Sequence, residues 1–172
     1  MDQVVLTIIN QYDFNLRYAR ELVVDLSEEQ MSCVPAKGLV NHPAFTLGHL
    51  ISGSALLVED LGGEFDMKEQ WSELFLRNGP GDPRLPDSDR RKFPSKEELL
   101  QELTRQHNKV KNMLENLTED KLKESVKWRF SGFMPTTSDL IMFMCINHEA
   151  MHLGQLAAWR RAMDLPSALG SL

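Results

Sequence analysis

Apolar residues recur at three- and four-residue spacing along most of this chain, the period of an amphipathic helix and not the alternation of a strand. Val5, Ile8, Ile9, Tyr12, Leu16, Ala19, Leu22, Val23 and Leu26 form the first such stripe, which predicts a helix over about 2–26. Ser32 to Asn41 carries Pro35 and Gly38 and reads as a loop. Asn41 or His42 is placed to cap a second helix with Pro43 in its first turn. That helix takes in Phe45, Leu47, His49, Leu50, Ala55, Leu56 and Leu57 and stops at Gly62-Gly63. Asp66 and Glu69 have capping-box spacing and open a short helix through Trp71, Leu74 and Phe75.

Asn78 to Ser95 breaks the pattern. It holds Pro80, Pro83, Pro86 and Pro94, half of the 8 prolines in the chain, with Gly79 and Gly81. Neither a regular helix nor a central strand tolerates that density. Ser95 with Glu98 is a second capping box. Behind it, Leu99, Leu103, Gln106, Val110, Met113, Leu114 and Leu117 mark a helix that ends near Asn116. Thr118 caps a short piece ending near Val126, and Trp128 to Pro135 reads as a connection. Thr136 with Asp139 is a third capping box, opening a long last helix to about Met163, stopped by Pro166. No strand and no internal repeat stand out. The expected fold is all-α: one domain over residues 1–172, built as a four-helix bundle with a long proline-rich loop and short extra helices.

Composition narrows the function classes. The 172 residues suffice for a real core. The formal net charge of −6 argues against a nucleic-acid face, which needs positive charge. Cys33 and Cys145 lie far apart and form no disulfide framework, which points to the reducing cytoplasm. The N-terminus lacks a basic n-region, and no apolar run approaches the roughly 20 residues that span a bilayer.

The candidate chemistry sits in the last helix. His148 and His152 are four apart, which stacks two imidazoles on one face, half of a transition-metal site. Ile141, Met144, Cys145, Leu156, Trp159 and Met163 share or flank their stripe, so the pair is expected to point into a core. His148-Glu149-Ala150-Met151-His152 also matches HExxH, in which the glutamate serves a metalloprotease as general base. A protease needs a third ligand, usually downstream. The 20 residues after His152 contain no histidine or glutamate, and Asp164 is their sole side-chain carboxylate. The third ligand is therefore sought upstream. His49 is the best placed, on a face with Phe45, Ser52 and Leu56. His42 reads as exposed at a helix start, and His107, among Arg105, Gln106, Asn108 and Lys109, as part of a solvated face.

Thr46-Leu47-Gly48-His49-Leu50, the His148/His152 pair and Gly154-Gln155 after it resemble the DinB/YfiT-like family over nearly the whole chain. The resemblance implies a four-helix bundle with one divalent ion, nickel or zinc, held by His49, His148 and His152. It points to a metal-dependent enzyme acting on a small molecule, first a thiol transferase that uses a low-molecular-weight thiol. The alternatives are a metal-dependent hydrolase and a non-catalytic metal-stabilised binding or stress-response module. Such bundles commonly pair, so a cytoplasmic homodimer is expected, with no nucleic-acid or membrane partner.

The flanking residues have two readings each. Glu149 is the catalytic candidate as general base, or a surface carboxylate pairing with an arginine. Gln155 donates a second-shell hydrogen bond to a ligand or only caps the polar end of the stripe. Cys145 would close the site as a fourth ligand, but a cysteine inside a helix is more often a small buried apolar residue. Tyr12, Asp13 and Asn15 are candidates to face the site, and Trp128 and Arg129 to line its mouth, with ordinary loop packing as the other reading of the last two. Tyr12 would otherwise pack in the core with only its hydroxyl wet. Arg90-Arg91-Lys92 reads as a solvated charge run.

Overall fold

A computed structural model describes residues 2–79 and 82–172. The helices are α1 (Gln3–Glu21), α2 (Pro43–Asp60), α3 (Glu69–Phe75), α4 (Lys96–Glu115), α5 (Glu119–Lys123), α6 (Thr137–Met142) and α7 (Glu149–Ala162). A π-helical segment, Phe143–His148, joins α6 to α7. No strand occurs among the described residues, whose only β pairing is an isolated bridge between Ser125 and Thr136.

The fold is the expected all-α bundle of four long helices. α1 packs against α4 and α7, and α2 packs against the same two, so α1 and α2 lie diagonally opposed, as do α4 and α7. Two apolar clusters fill the interior. One joins Ala19 and Leu22 at the end of α1 to Leu47 and Ile51 early in α2, Leu99 and Leu103 early in α4, and Leu156 and Trp159 late in α7. The other joins Val5, Ile8 and Ile9 to Leu57 and Val58, Val110 and Leu114, and Leu140 and Ile141. These pairings fix the directions: α1 and α7 run one way, α2 and α4 the other. Each fully buried Leu, Ile or Trp contributes about 1.5–3 kcal/mol relative to exposure, so the stripes themselves hold the bundle.

The local signals were mostly realised. The Ser95–Glu98 and Thr136–Asp139 capping boxes form with both reciprocal bonds, and Thr118 caps α5. Three expectations need correction. The first helix ends at Glu21, short of Leu26; the Leu22 carbonyl is taken instead by the buried Arg160 guanidinium, which also binds Asp25 and the Pro166 carbonyl. Asp66 does not cap α3, because Arg105 and Lys109 on α4 hold its carboxylate. The last helix is not one continuous α-helix, since the π segment interrupts it.

Within the proline-rich stretch Asn78–Ser95, Pro80 and Gly81 lie outside the described residues. The remainder contains a 3-10 turn at Arg90–Lys92, a buried Phe93 and the Asp87 carbonyl, which binds His42. Arg91 of the charge run is solvated, but Arg90 pairs with Glu28 across to the 27–30 turn.

Candidate metal centre

His49 on α2 and His148 and His152 at the start of α7 meet in the seam between those two helices. One ligand nitrogen from each lies within 4.8 Å of the other two. The His49 ring centre is 5.3 Å from that of His148 and 4.6 Å from that of His152, while His148 and His152 are 4.7 Å apart. All three are half-buried. The core stripe of the last helix runs instead through Ile141, Cys145, Glu149, Leu153 and Leu156. The histidines therefore occupy the neighbouring stripe, turned to α2, and do not point into the core as the sequence pattern suggested.

Glycines make the approach possible. A Cβ on Gly53 would lie 3.1 Å from the His148 ring. A Cβ on Gly48 would lie 2.2 Å from the buried ring of Phe75. The bare backbone at Gly48 lets α3 settle on α2, and α3 then presents the Phe75 carbonyl to His49 Nδ1 at 3.2 Å. A carbonyl only accepts, so Nδ1 carries the proton and Nε2 keeps its lone pair. Arg77, just beyond α3, lies 4.4 Å over the Phe45 ring, which in turn stacks on His49.

The electrostatics favour neutral imidazoles. Burial, followed by the fields of His152 and His49, pushes His148 down to about 3. Burial and then His49 push His152 down to about 4, against an opposing pull from Gln155. Burial lowers His49 too, with Arg77 adding to the fall and the Phe75 carbonyl opposing it. Three uncharged rings with convergent lone pairs are what a divalent transition ion takes. His152 Nδ1 is buried and has no hydrogen-bond partner, an orphan that a ligand would relieve. The residues present fit a three-histidine metal centre.

A model of the DinB superfamily matches residues 11–156. The chain belongs to the DinB superfamily. A crystal structure of a conserved protein from Enterococcus faecalis shares its fold. The two agree with a TM-score of 0.73 at 18% identity, over 94% of this chain and 98% of that chain. Among curated proteins none matches the chain.

Other candidates fall in unexpected places. His42 is not exposed: it is fully buried at the N-cap of α2, with its ring nitrogens against the Met31 and Asp87 carbonyls at 3.1 and 2.8 Å. Nor does His107 lie on a solvated face. It is 1% exposed, because its spacing from Leu103, Val110 and Leu114 sets it in the apolar stripe of α4. Glu149 is no surface carboxylate; it is 3% exposed and its Oε1 lies 2.8 Å from His107 Nε2. Cys145 is buried outside the three-histidine group, and burial, then Glu149, pushes its thiol up. Gln155 accepts a 3.2 Å bond from Asn41 on the exposed side of the trio. The Tyr12 hydroxyl is dry and bonds Ser54, while Asp13 pairs with Lys111 away from the site. Trp128 packs on Phe143, whose ring lies 6.5 Å from His148, so this aromatic wall borders the centre. Arg129 lies over Phe130 of the same wall. Arg77 had no signal in the periodicity, since its place depends on how α3 docks.

Proposed function

We propose that this DinB-superfamily chain is a metal-dependent enzyme acting on a small molecule, and specifically a transferase that uses a low-molecular-weight thiol. His49, His148 and His152 would hold one divalent ion, nickel or zinc. The observation that carries the reading is the composition of the cluster: three neutral histidines that no thiol or carboxylate joins among the described residues. Three protein ligands leave a coordination position open, the pattern of catalytic and not structural sites. A divalent ion held there lowers the pKa of a thiol and polarises an electrophile.

The chain's own residues set the conditions. The Phe75 carbonyl fixes the tautomer of His49. Arg77 brings positive charge beside His49, which favours a thiolate over a thiol. The wall of Trp128, Phe130 and Phe143 limits water on the His148 side. Gln155 steadies His152 from the open side. Glu149 faces His107 and does not steer the reacting groups in this reading. A cytoplasmic homodimer without nucleic acid completes the proposal; the charge of −6 supports the last point.

The test is metal content of untagged protein by plasma mass spectrometry, wild type beside His148→Ala. About one ion per chain, lost in the variant, is the expected result for a three-ligand centre. Loaded protein should then conjugate a cellular thiol to an electrophile in a metal-dependent way. A full complement of metal with no conjugate from any thiol would favour a non-catalytic module.

A further inference from the structure

The two apolar clusters of the core are separated by a polar layer to which each of the four long helices contributes. α1 supplies Tyr12 and Asn15, α2 Ser54, α4 His107 and α7 Glu149, all of them buried. The hydrogen bonds run along both diagonals of the bundle. Ser54 Oγ donates to the Leu50 carbonyl, so the Tyr12 hydroxyl donates to Ser54 at 2.7 Å, from α1 to α2. His107 and Glu149 join α4 to α7 at 2.8 Å. The Tyr12 ring stacks flat on His107, with centroids 3.7 Å apart and planes within 6°. Asn15 Nδ2 donates to the Cys145 carbonyl at 3.1 Å.

Folding alone does not call for such a layer, since well-packed apolar residues in place of a buried ion pair are commonly neutral or stabilising. Its points of attachment suggest its purpose. Two of them, the Cys145 carbonyl and the Glu149 side chain, bracket His148. The intervening backbone is the π segment, where the Glu149 N–H bonds the Ile146 carbonyl and not the Cys145 carbonyl four residues back. Asn15 takes the acceptor that this irregularity frees. One extra residue in a helix turns everything beyond it by about 100°. α6 buries Leu140 and Ile141, and α7 buries Leu153 and Leu156. The π segment reconciles those two faces, and His148 is its last residue.

We infer that Asn15 and the His107–Glu149 pair are the positioning residues of the three-histidine centre: they hold the π segment in register and so set the angle at which His148 meets His49 and His152. This rests on the reading of that cluster as a metal centre. Glu149 then acts through the backbone of its neighbour, as a brace and not as a base.

The test uses untagged full-length protein and Co(II), whose visible d–d bands report ligand geometry. Co(II) affinity, the d–d spectrum and the urea midpoint of the metal-free protein are measured for three variants. Glu149→Gln keeps an acceptor for His107 and should bind within about threefold of wild type with the same bands. The double variant His107→Leu/Glu149→Met replaces the pair by apolar side chains. It should be at least as stable without metal, yet bind Co(II) about tenfold or more weakly with altered bands. Asn15→Ala keeps both members of the pair while taking a donor from the Cys145 carbonyl and from the Glu149 carboxylate; it should also lower affinity about tenfold, which gives an answer even if the double variant fails to fold. Wild-type affinity and bands in Asn15→Ala or in a folded double variant would overturn the inference while leaving the metal centre standing. If wild-type protein takes up no ion, the metal reading falls; amide exchange then decides whether the layer holds the register. Unchanged exchange over residues 143–150 in Asn15→Ala would sink that too, and faster exchange confined there would sustain it.

Discussion

The seam between α2 and α7 and the layer at the bundle centre both bury imidazoles, but they satisfy them differently. In the layer, His107 is fully enclosed, carries a carboxylate on Nε2, has an unpartnered Nδ1 and lies under a tyrosine ring, with no second imidazole beside it in a ligand group among the described residues. In the seam, His49 has one nitrogen fixed by a carbonyl, His152 has a buried nitrogen with no partner, and all three rings are held neutral. His42 belongs with His107, since its Nε2 donates to the Asp87 carbonyl and its Nδ1 accepts the Phe45 N–H. Burial alone therefore says little about whether a histidine binds metal. The convergence of nitrogens from three rings separates a ligand from a structural core residue.

The sharpest way to break this contrast is to exchange the two kinds. His49→Ala should weaken metal binding by about 100-fold or more while changing stability little, because one of three ligands is lost. His42→Ala should do the reverse. Its metal content stays at wild-type level and its urea midpoint falls by an amount equivalent to about 2–4 kcal/mol, since the Asp87 carbonyl loses its donor and the Phe45 N–H its capping acceptor. Equal loss of metal in both variants would dissolve the distinction.

Next in size is the pH response. In the folded protein His148 and His152 take up protons only near about 3 and about 4, whereas an unstructured chain does so near 6.5. Zinc affinity should therefore change less than about fivefold between pH 7 and 5.5, against several hundred-fold for a flexible three-histidine peptide. A peptide-like decline on titration with a chromogenic chelator would show that the rings are not held neutral. Stability of the metal-free protein has the corresponding sign. The unfolded chain binds more protons below about 6.5, so stability is full above that pH and falls as pH drops toward about 4 and then about 3. Urea midpoints at pH 7 and 5 check this.

Smaller effects come from the two glycines. Gly48→Ala forces the Phe75 ring aside and should cost about 1–3 kcal/mol by overpacking. It should also loosen metal binding roughly tenfold by removing the carbonyl that orients His49. Gly53→Ala presses a methyl on the His148 ring at 3.1 Å, and a few-fold loss of affinity with little change in thermal midpoint is expected. A Gly53→Ala protein with unaltered affinity would show that His148 has slack in the seam.

The parts of the molecule legible in the sequence are those whose physics is local. Helical stripes, the Ser95–Glu98 and Thr136–Asp139 boxes and the one-turn spacing of His148 and His152 each depend on neighbours within a few residues. His49 stands out by the helix face it shares with Phe45, Ser52 and Leu56, and the family resemblance adds to this, since its partners lie about a hundred residues on. The Asp66–Glu69 signal failed because two basic side chains on α4 compete for Asp66. His107 has polar sequence neighbours that mask it, although its spacing from Leu103, Val110 and Leu114 marks the buried face. Glu149 was attractive as part of HExxH, and nothing nearby in the chain reveals that a histidine 42 residues away claims it. The π segment has no local signature at all. It arises where two helical faces must both be buried and do not match.

The smallest helix at the site has a bearing on how fast an ion comes and goes. α3 has 7 residues, too few to persist by itself, and it stays in place through Trp71 and Phe75 alone among its buried residues. Short elements with few anchors open far more often than the whole fold unravels. Each time α3 lifts, His49 loses its carbonyl and its proton is free to move to the other ring nitrogen, silencing one of the three lone pairs. The residence time of a bound ion is thus tied to the lifetime of a two-turn helix that never touches it.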